Sequence, residues 1–407
     1  MKYVLIIGDG MADNPLAALG NKTPLQCARK PQMDFMARAG VLGSVCNVPE
    51  GYPPGSDTAI MSIFGCAPEK YYSGRAPLEA AAQGISLHPG DAAFRCNNVT
   101  LSDEADFLDK KILSHSGCTE GAEGRELVTW LFAQPEFASL AQEAGMTVSP
   151  TDSYRHIVVQ RNADISGIRL APPHDHLGET VRENAPAGCA DAETLLRLLE
   201  KANALLETHP LNLRRRSEGK LPANGIWFWA EGTAVALPDF PKAYGHHGAV
   251  ISAVPLCHGI AALCGLETVT VPGATGELET NYEGKAAAAM EALEKYDFCA
   301  VHLEAPDECS HAGDVQGKLL SIERLDSRII APIAEALRAQ GEDFRMLILP
   351  DHKTLLSGGA HDGTPVPFIL YDSRTDTHDG RDYTEANGEK GPHLPDGTVL
   401  MSMLFGA

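Results

Sequence analysis

Three apolar runs constrain this chain more than anything else in it: YVLII at 3–7, FCAVHLEA at 298–305 and RMLILP at 345–350. Each is continuous rather than alternating. The Ala-rich NYEGKAAAAMEALEKY precedes the second run, and the amphipathic GKLLSIERLDSRIIAPIAEALRAQ separates the second from the third. Continuous apolar strands that alternate with helices belong in a parallel sheet covered on both faces. The same texture predicts a broken helix over TPLQCARKPQMDFMARAG, a helix over VISAVPLCHGIAALCG and a strand then a turn over ETVTVPG. After the Pro-Pro-Gly loop, Ser56-Asp57-Thr58 opens a helix-like run. The polar, Gly-rich tail from Asp372 to Gly397 is expected to wrap the surface.

From about residue 75 the texture changes. Short strand-like pieces (AFRCNNVTL, YRHIVVQ, GIWFWA) alternate with polar loops. One helix interrupts them, DAETLLRLLEKANALLETH, with Asp191 as its expected N-cap. Its Leu195, Leu196, Leu198, Leu199, Leu205 and Leu206 stripe has helical spacing and reads as core. The LRRR run at 213–216 reads as a solvated face or loop. The fold class is therefore α/β: one mostly parallel, helix-flanked sheet domain from residues 1–74 and 248–407, with a smaller α+β domain inserted over 75–247.

Composition narrows the function. The 407 residues are 44% hydrophobic and 21% charged, as in a soluble globular protein with ample core. A formal charge of −21 argues against nucleic acid or an anionic membrane as the main partner. A small anionic substrate remains open, because a few arginines override the global field locally. No stretch has the roughly 18–20 apolar residues of a membrane span. The N-terminal apolar run is cut short by Asp9, so it reads as a first buried strand rather than a signal peptide. Ten cysteines without a Cys-x-x-Cys pair read as reduced thiols in the cytoplasm.

Each apolar run ends on metal-ligand chemistry. YVLII leads to Asp9, FCAVHLEA to Asp307 and His311, and RMLIL to Asp351 and His352. Parallel strands present their carboxyl ends along one edge, where open α/β sheets bind ligands. An Asp after a strand is often only a helix cap, and a lone His is usually a core or surface residue. Three unpaired carboxylates at one edge would repel each other, however, and a divalent cation removes that conflict. Asp307 and His311 are four apart, on one face of a helical turn. His361, in GGAHDGTPVPF, sits on a Gly-rich loop able to approach a metal. His and Asp donors in these numbers suit two ions such as Mn²⁺ or Zn²⁺, an arrangement made for phosphoryl transfer. Ser56, at a helix N-terminus in PPGSDTA, is the expected nucleophile; its bland reading is a plain N-cap.

The stretches GDGMAD, KTPLQCA, PPGSDTA, YYSGRAPLEA, FRCNNVT, SYRHIVV, VPGATGELETNYEGKA, HLEAPDECSH and PVPF occur in one order across almost the whole chain. Together they resemble the archaeal type of 2,3-bisphosphoglycerate-independent phosphoglycerate mutase, in the alkaline phosphatase superfamily. The resemblance implies one metal on Asp307, His311 and His361. It implies a second on Asp9, Asp351 and His352, with Ser56 as its neighbour and the nucleophile. The implied ions are two divalent metals, Mn²⁺ first, with Zn²⁺, Co²⁺ or Mg²⁺ as alternatives. The implied reaction moves a phosphoryl group of 3-phosphoglycerate through phosphoserine, without 2,3-bisphosphoglycerate. Arg75, Arg95, Arg155 with His156, and Lys285 are the expected grips on the substrate's carboxylate and phosphate, since an arginine fork matches such oxygens. Some bacterial relatives resemble a subgroup proposed as homoserine kinases, which is one alternative. A simple metal-dependent phosphatase is another, and a non-catalytic metal-binding scaffold the last.

Overall fold

A computed structural model describes residues 1–406. The chain divides into two compact units, Met1–Tyr72 with Ala236–Ala407, and Ser73–Val235. Among the described residues, the first unit holds an eight-stranded sheet. Its order is His393–Leu394, Val41–Val45, Val366–Asp372, Phe344–Leu349, Lys2–Gly8, Phe298–Leu303, Gly248–Ile251 and Glu267–Val269. Lys2–Gly8 pairs in parallel with both Phe298–Leu303 and Phe344–Leu349, the other two runs picked out by their apolar continuity. Val366–Asp372 is antiparallel to both its neighbours, so the sheet is mostly, not wholly, parallel. The helix Phe240–Tyr244 belongs here too, because Phe240 stacks on Phe298 with ring centroids 5.0 Å apart.

Two expectations fail in this unit. VISAVPLCHGIAALCG is a strand, Gly248–Ile251, followed by a helix, Pro255–Leu263. Apolar residues run through both, so periodicity could not divide them; Pro255, which can only open a helix, marks the break. The tail after Asp372 does not merely wrap the surface. Tyr383 is fully buried and donates its hydroxyl to Pro367 O, and His393–Leu394 joins the sheet edge.

The second unit is an antiparallel five-stranded sheet centred on Ala92–Leu101, which pairs with Arg155–Gln160 and with Gly225–Thr233. The helix Ala190–Leu206 packs Leu195, Leu198, Leu199 and Leu206 into its core, as the stripe predicts. Asp191 is not its N-cap. Cys189 holds that position, and Asp191 instead accepts from Gln160 Nε2 (3.1 Å) and Asp164 N (2.8 Å). Nor is the arginine run all solvated. Arg215 is buried, donating to the carbonyls of Gly117, Cys118 and Leu221 and pairing with Glu123.

Candidate active site

Sheet register builds one half of the site. Ile7 lies opposite His302 on one side and Leu349 on the other, so three parallel strands end level. Asp9 follows the first strand, and Asp351 and His352 follow Phe344–Leu349. After Phe298–Leu303 the chain enters the helix Ala305–His311, with Pro306 in its first turn. That turn carries Asp307, and His311 stands one turn later on the same face. His361 arrives by a hairpin in which Ala360–Asp362 pairs with Lys353–Leu355, entered through Gly359 at φ +67°.

Two groups of donors result: Asp307, His311 and His361, and Asp9, Asp351 and His352. Within each, the ligand atoms all lie within 4.8 Å of one another. In the first, His311 Nε2 is 2.9 Å from His361 Nε2 and 3.1 Å from Asp307 Oδ2. In the second, His352 Nε2 is 3.3 Å from Asp351 Oδ2 and 3.7 Å from Asp9 Oδ1. The groups adjoin, since the His352 and His361 ring centroids are 4.2 Å apart.

The second group fits a cation on its hydrogen bonding. Asp9 and Asp351 are buried, yet Asp9 Oδ1 and Asp351 Oδ2 have no hydrogen-bond partner. Their other oxygens are served: Asp9 Oδ2 by His302 Nε2 (2.9 Å), Asp351 Oδ1 by the amides of Gly10 (3.1 Å) and His352 (2.8 Å). A buried carboxylate oxygen left bare is costly, and a metal is the partner that satisfies two at once. Burial and the nearby Asp351, Asp307 and Glu304 charges push the Asp9 carboxyl well above its usual range. Burial also pushes Asp307 up, but hydrogen bonds from His311, His361 and Thr354 outweigh it and hold this carboxyl low.

Ser56 is the first residue of the helix Ser56–Ile63, and the cap is Gly55, so the serine does not serve as N-cap. Its Oγ lies 3.1 Å from His352 Nε2 and 3.4 Å from Asp9 Oδ2.

The second unit gathers three of the expected substrate residues around one carboxylate. Arg95 is buried and forms a forked ion pair with Glu79, its Nε 2.8 Å from Oε2. Arg75 Nε approaches Glu79 Oε1 at 3.3 Å. Burial raises the Glu79 carboxyl, but Arg95, Arg75 and Arg155 outweigh it and hold it below its usual range. Arg95 and Arg155 also lie over the Trp229 ring, at 4.6 and 5.4 Å from its centroid. The His174 ring sits 5.0 Å from the same indole. His156 is not with them at any surface. It is fully buried, accepts from Thr151 N at Nδ1 (3.1 Å) and faces Asn98 Oδ1 at Nε2 (2.9 Å). Lys285 is buried in the first unit, and its Nζ donates to His302 O at 2.9 Å. Burial lowers its ammonium to about 8.

Similar proteins carry the same architecture along their whole length. The model of the 2,3-bisphosphoglycerate-independent phosphoglycerate mutase family matches residues 37–212. A protein of that name from Methanosarcina acetivorans is 44% identical over 407 residues, covering 100% of this chain and 99% of its own. The chain belongs to the 2,3-bisphosphoglycerate-independent phosphoglycerate mutase family. A probable member from Geobacter sulfurreducens is 43% identical over 415 residues, with all of both chains covered. Among solved structures, a protein from Pyrococcus horikoshii aligns with a TM-score of 0.80 at 29% identity, covering 100% of this chain and 98% of its own. The cofactor-independent phosphoglycerate mutase of Thermoplasma acidophilum aligns at 0.65 and 25%, covering 100% and 99%.

In this mutase-family chain, the residues that hydrogen-bond to the candidate ligands stood out less in the sequence. His302 and Thr354 belong to FCAVHLEA and PDHKTL, where a polar side chain inside an apolar strand, or just past its end, was the available signal. Trp229 and His174 gave none, because only the fold brings them to the arginines; Glu79 offered its four-residue helical spacing from Arg75.

Proposed function

We propose that the protein interconverts 3-phosphoglycerate and 2-phosphoglycerate through a phosphoserine on Ser56. The observation that carries this is the Ser56 hydroxyl beside His352 Nε2 and Asp9 Oδ2, next to two buried, unpartnered carboxylate oxygens. Asp9, Asp351 and His352 would hold one divalent ion and Asp307, His311 and His361 another. Mn²⁺ is first choice for a mixed His and carboxylate set, with Zn²⁺, Co²⁺ or Mg²⁺ as alternatives. When bound, the ions supply positive charge that favours the serine alkoxide and offsets charge on the transferring phosphoryl group.

Ser56 Oγ bonds to phosphorus as the bond to the substrate's 3-oxygen breaks. The proton lost by Ser56 balances the one the departing glycerate oxygen takes up. Bound glycerate then reorients, and its 2-hydroxyl attacks the phosphoserine, returning Ser56. Arg75, Arg95 and Arg155 are proposed to take up the substrate's anionic groups. Glu79 sets their positions and lowers their net charge. His156, with both ring nitrogens committed, serves the framework of its unit. Lys285 is assigned to the backbone of His302 rather than to the helix surface.

Whole-length relatives named as mutases favour this reading over a homoserine kinase or a phosphatase. Ten free cysteines favour a reducing, cytoplasmic setting. Among the described residues, no helix is long and apolar enough to cross a membrane. The test is a paired assay of Mn²⁺-loaded protein. One tube holds 3-phosphoglycerate alone and the other homoserine with ATP. Formation of 2-phosphoglycerate in the first supports the mutase. O-phosphohomoserine in the second, with nothing in the first, replaces it with the kinase.

A further inference from the structure

One buried hydroxyl touches both groups of candidate ligands. Thr354 is fully buried, and its Oγ1 lies 2.5 Å from Asp307 Oδ1 and 3.2 Å from His352 Nδ1. Asp307 belongs to one group and His352 to the other.

The hydrogens can be placed from donor and acceptor chemistry. A carboxylate only accepts, so the Thr354 hydroxyl donates to Asp307. His352 Nδ1 also faces Lys353 O at 3.2 Å, and a carbonyl only accepts. Nδ1 therefore carries the hydrogen, shared between Lys353 O and a lone pair of Thr354 Oγ1. In the neutral ring, the form that binds a metal, this leaves Nε2 as a bare lone pair beside Asp351 Oδ2, Asp9 Oδ1 and Ser56 Oγ.

The threonine is held rigidly. Its carbonyl accepts from Lys318 Nζ at 2.7 Å, and that buried ammonium pairs with Asp13 at 3.0 Å. Asp13 Oδ2 also takes the amide of Leu356 at 3.1 Å. From the other side the backbone of Gly10 (φ +58°) closes over the hydroxyl, and a side chain there would collide with Thr354 Oγ1 and Asp307 Oδ1. Outer hydrogen bonds of this kind fix the tautomer and orientation of metal ligands.

We propose that Thr354 is a positioning residue that couples the two metal groups, one hydroxyl fixing both the Asp307 carboxylate and the tautomer of His352. This rests on the reading that each group holds a divalent ion. The test is a Mn²⁺ titration of the metal-free protein, following free Mn²⁺ by its paramagnetic resonance signal, with the melting temperature of the metal-free form measured in parallel. Thr354→Val keeps the shape and removes the hydroxyl. It should weaken both binding steps by about 10-fold or more while the metal-free melting temperature stays put, and Thr354→Ser should restore them. Should the valine protein not fold, Thr354→Ala gives the same readout. Wild-type protein that takes up no Mn²⁺ removes the two-metal reading and this proposal together. Wild-type uptake of about two ions, with the hydroxyl-free variant binding as tightly or weakened at one step alone, overturns the coupling and leaves the metals standing.

Discussion

The two polar clusters of this molecule solve opposite electrostatic problems. At the strand ends of the first unit, Asp9 and Asp351 are buried, and among the described residues one oxygen of each is unpartnered and no lysine or arginine pairs with either. In the second unit, Arg95 is as deeply buried, but its charge is matched by the forked bond to Glu79. Among the described residues, the first cluster has no lysine or arginine counter-ion of its own. The second carries its own counter-ion in Glu79. On the proposed function, that difference would separate a place for a tightly held ion from one for a passing anion.

The largest expected effect comes from breaking the first cluster. Ser56→Ala should lower kcat by on the order of 10⁴-fold or more, since a nucleophile has no substitute. Asp351→Ala should abolish activity while the metal-free fold survives, because it removes an unsatisfied charge. Initial rates with thermal melts check both, and retained activity in the Asp351 variant would refute its assignment.

Glu79→Gln strips the second cluster of its counter-ion and leaves buried Arg95 uncompensated. A loss of about 3–5 kcal/mol is expected in urea unfolding. A variant as stable as wild type would erase the contrast drawn above. Metal removal should act on the other unit alone. Chelation should cost roughly 3 kcal/mol, the linkage value for an ion at about 100 times its dissociation constant. Faster amide exchange should appear at the strand ends and not in Ser73–Val235.

The smallest effect separates framework from site within the second unit. Burial and Arg125 push the His156 imidazole down to about 4 from 6.5. A depressed folded value means the folded state refuses a proton that the unfolded chain accepts. The stability is complete above about 6.5 and is lost as pH falls toward 4. Between pH 7 and pH 5 the loss should be about 2 kcal/mol, and His156→Gln should flatten that slope in pH-dependent unfolding. Unchanged KM in this variant would keep His156 apart from the arginines.

Legibility in the sequence followed the range of the physics. Asp9, Asp307 and Asp351 were readable because continuous apolar runs announce parallel strands, and parallel strands share an end. Asp307 and His311 were readable from helical spacing alone. What escaped depends on long side chains or very short elements. Lys285 read as a substrate grip, yet its reach carries Nζ to a carbonyl on the neighbouring strand. The tail looked polar because several of its anchors are polar or short: buried Glu385, bonded to Thr23 and Asp13, and a two-residue strand beside the buried Tyr383. Arg215 sat in a run whose neighbours are solvated, and only tertiary carbonyls explain its burial.

The sheet order also sets a timetable. Lys2–Gly8 is made well before both strands that flank it, Phe298–Leu303 and Phe344–Leu349. The Ser73–Val235 unit draws its contacts from one continuous stretch and is free to form meanwhile. The strand leading to Asp9 therefore waits long for partners, as Val41–Val45 does for Val366–Asp372, holding four consecutive apolar residues, Val4 to Ile7, that are buried only once the sheet forms. On the proposed function, uptake of an ion beside Ser56 would be a closing step of assembly, not a nucleus for it.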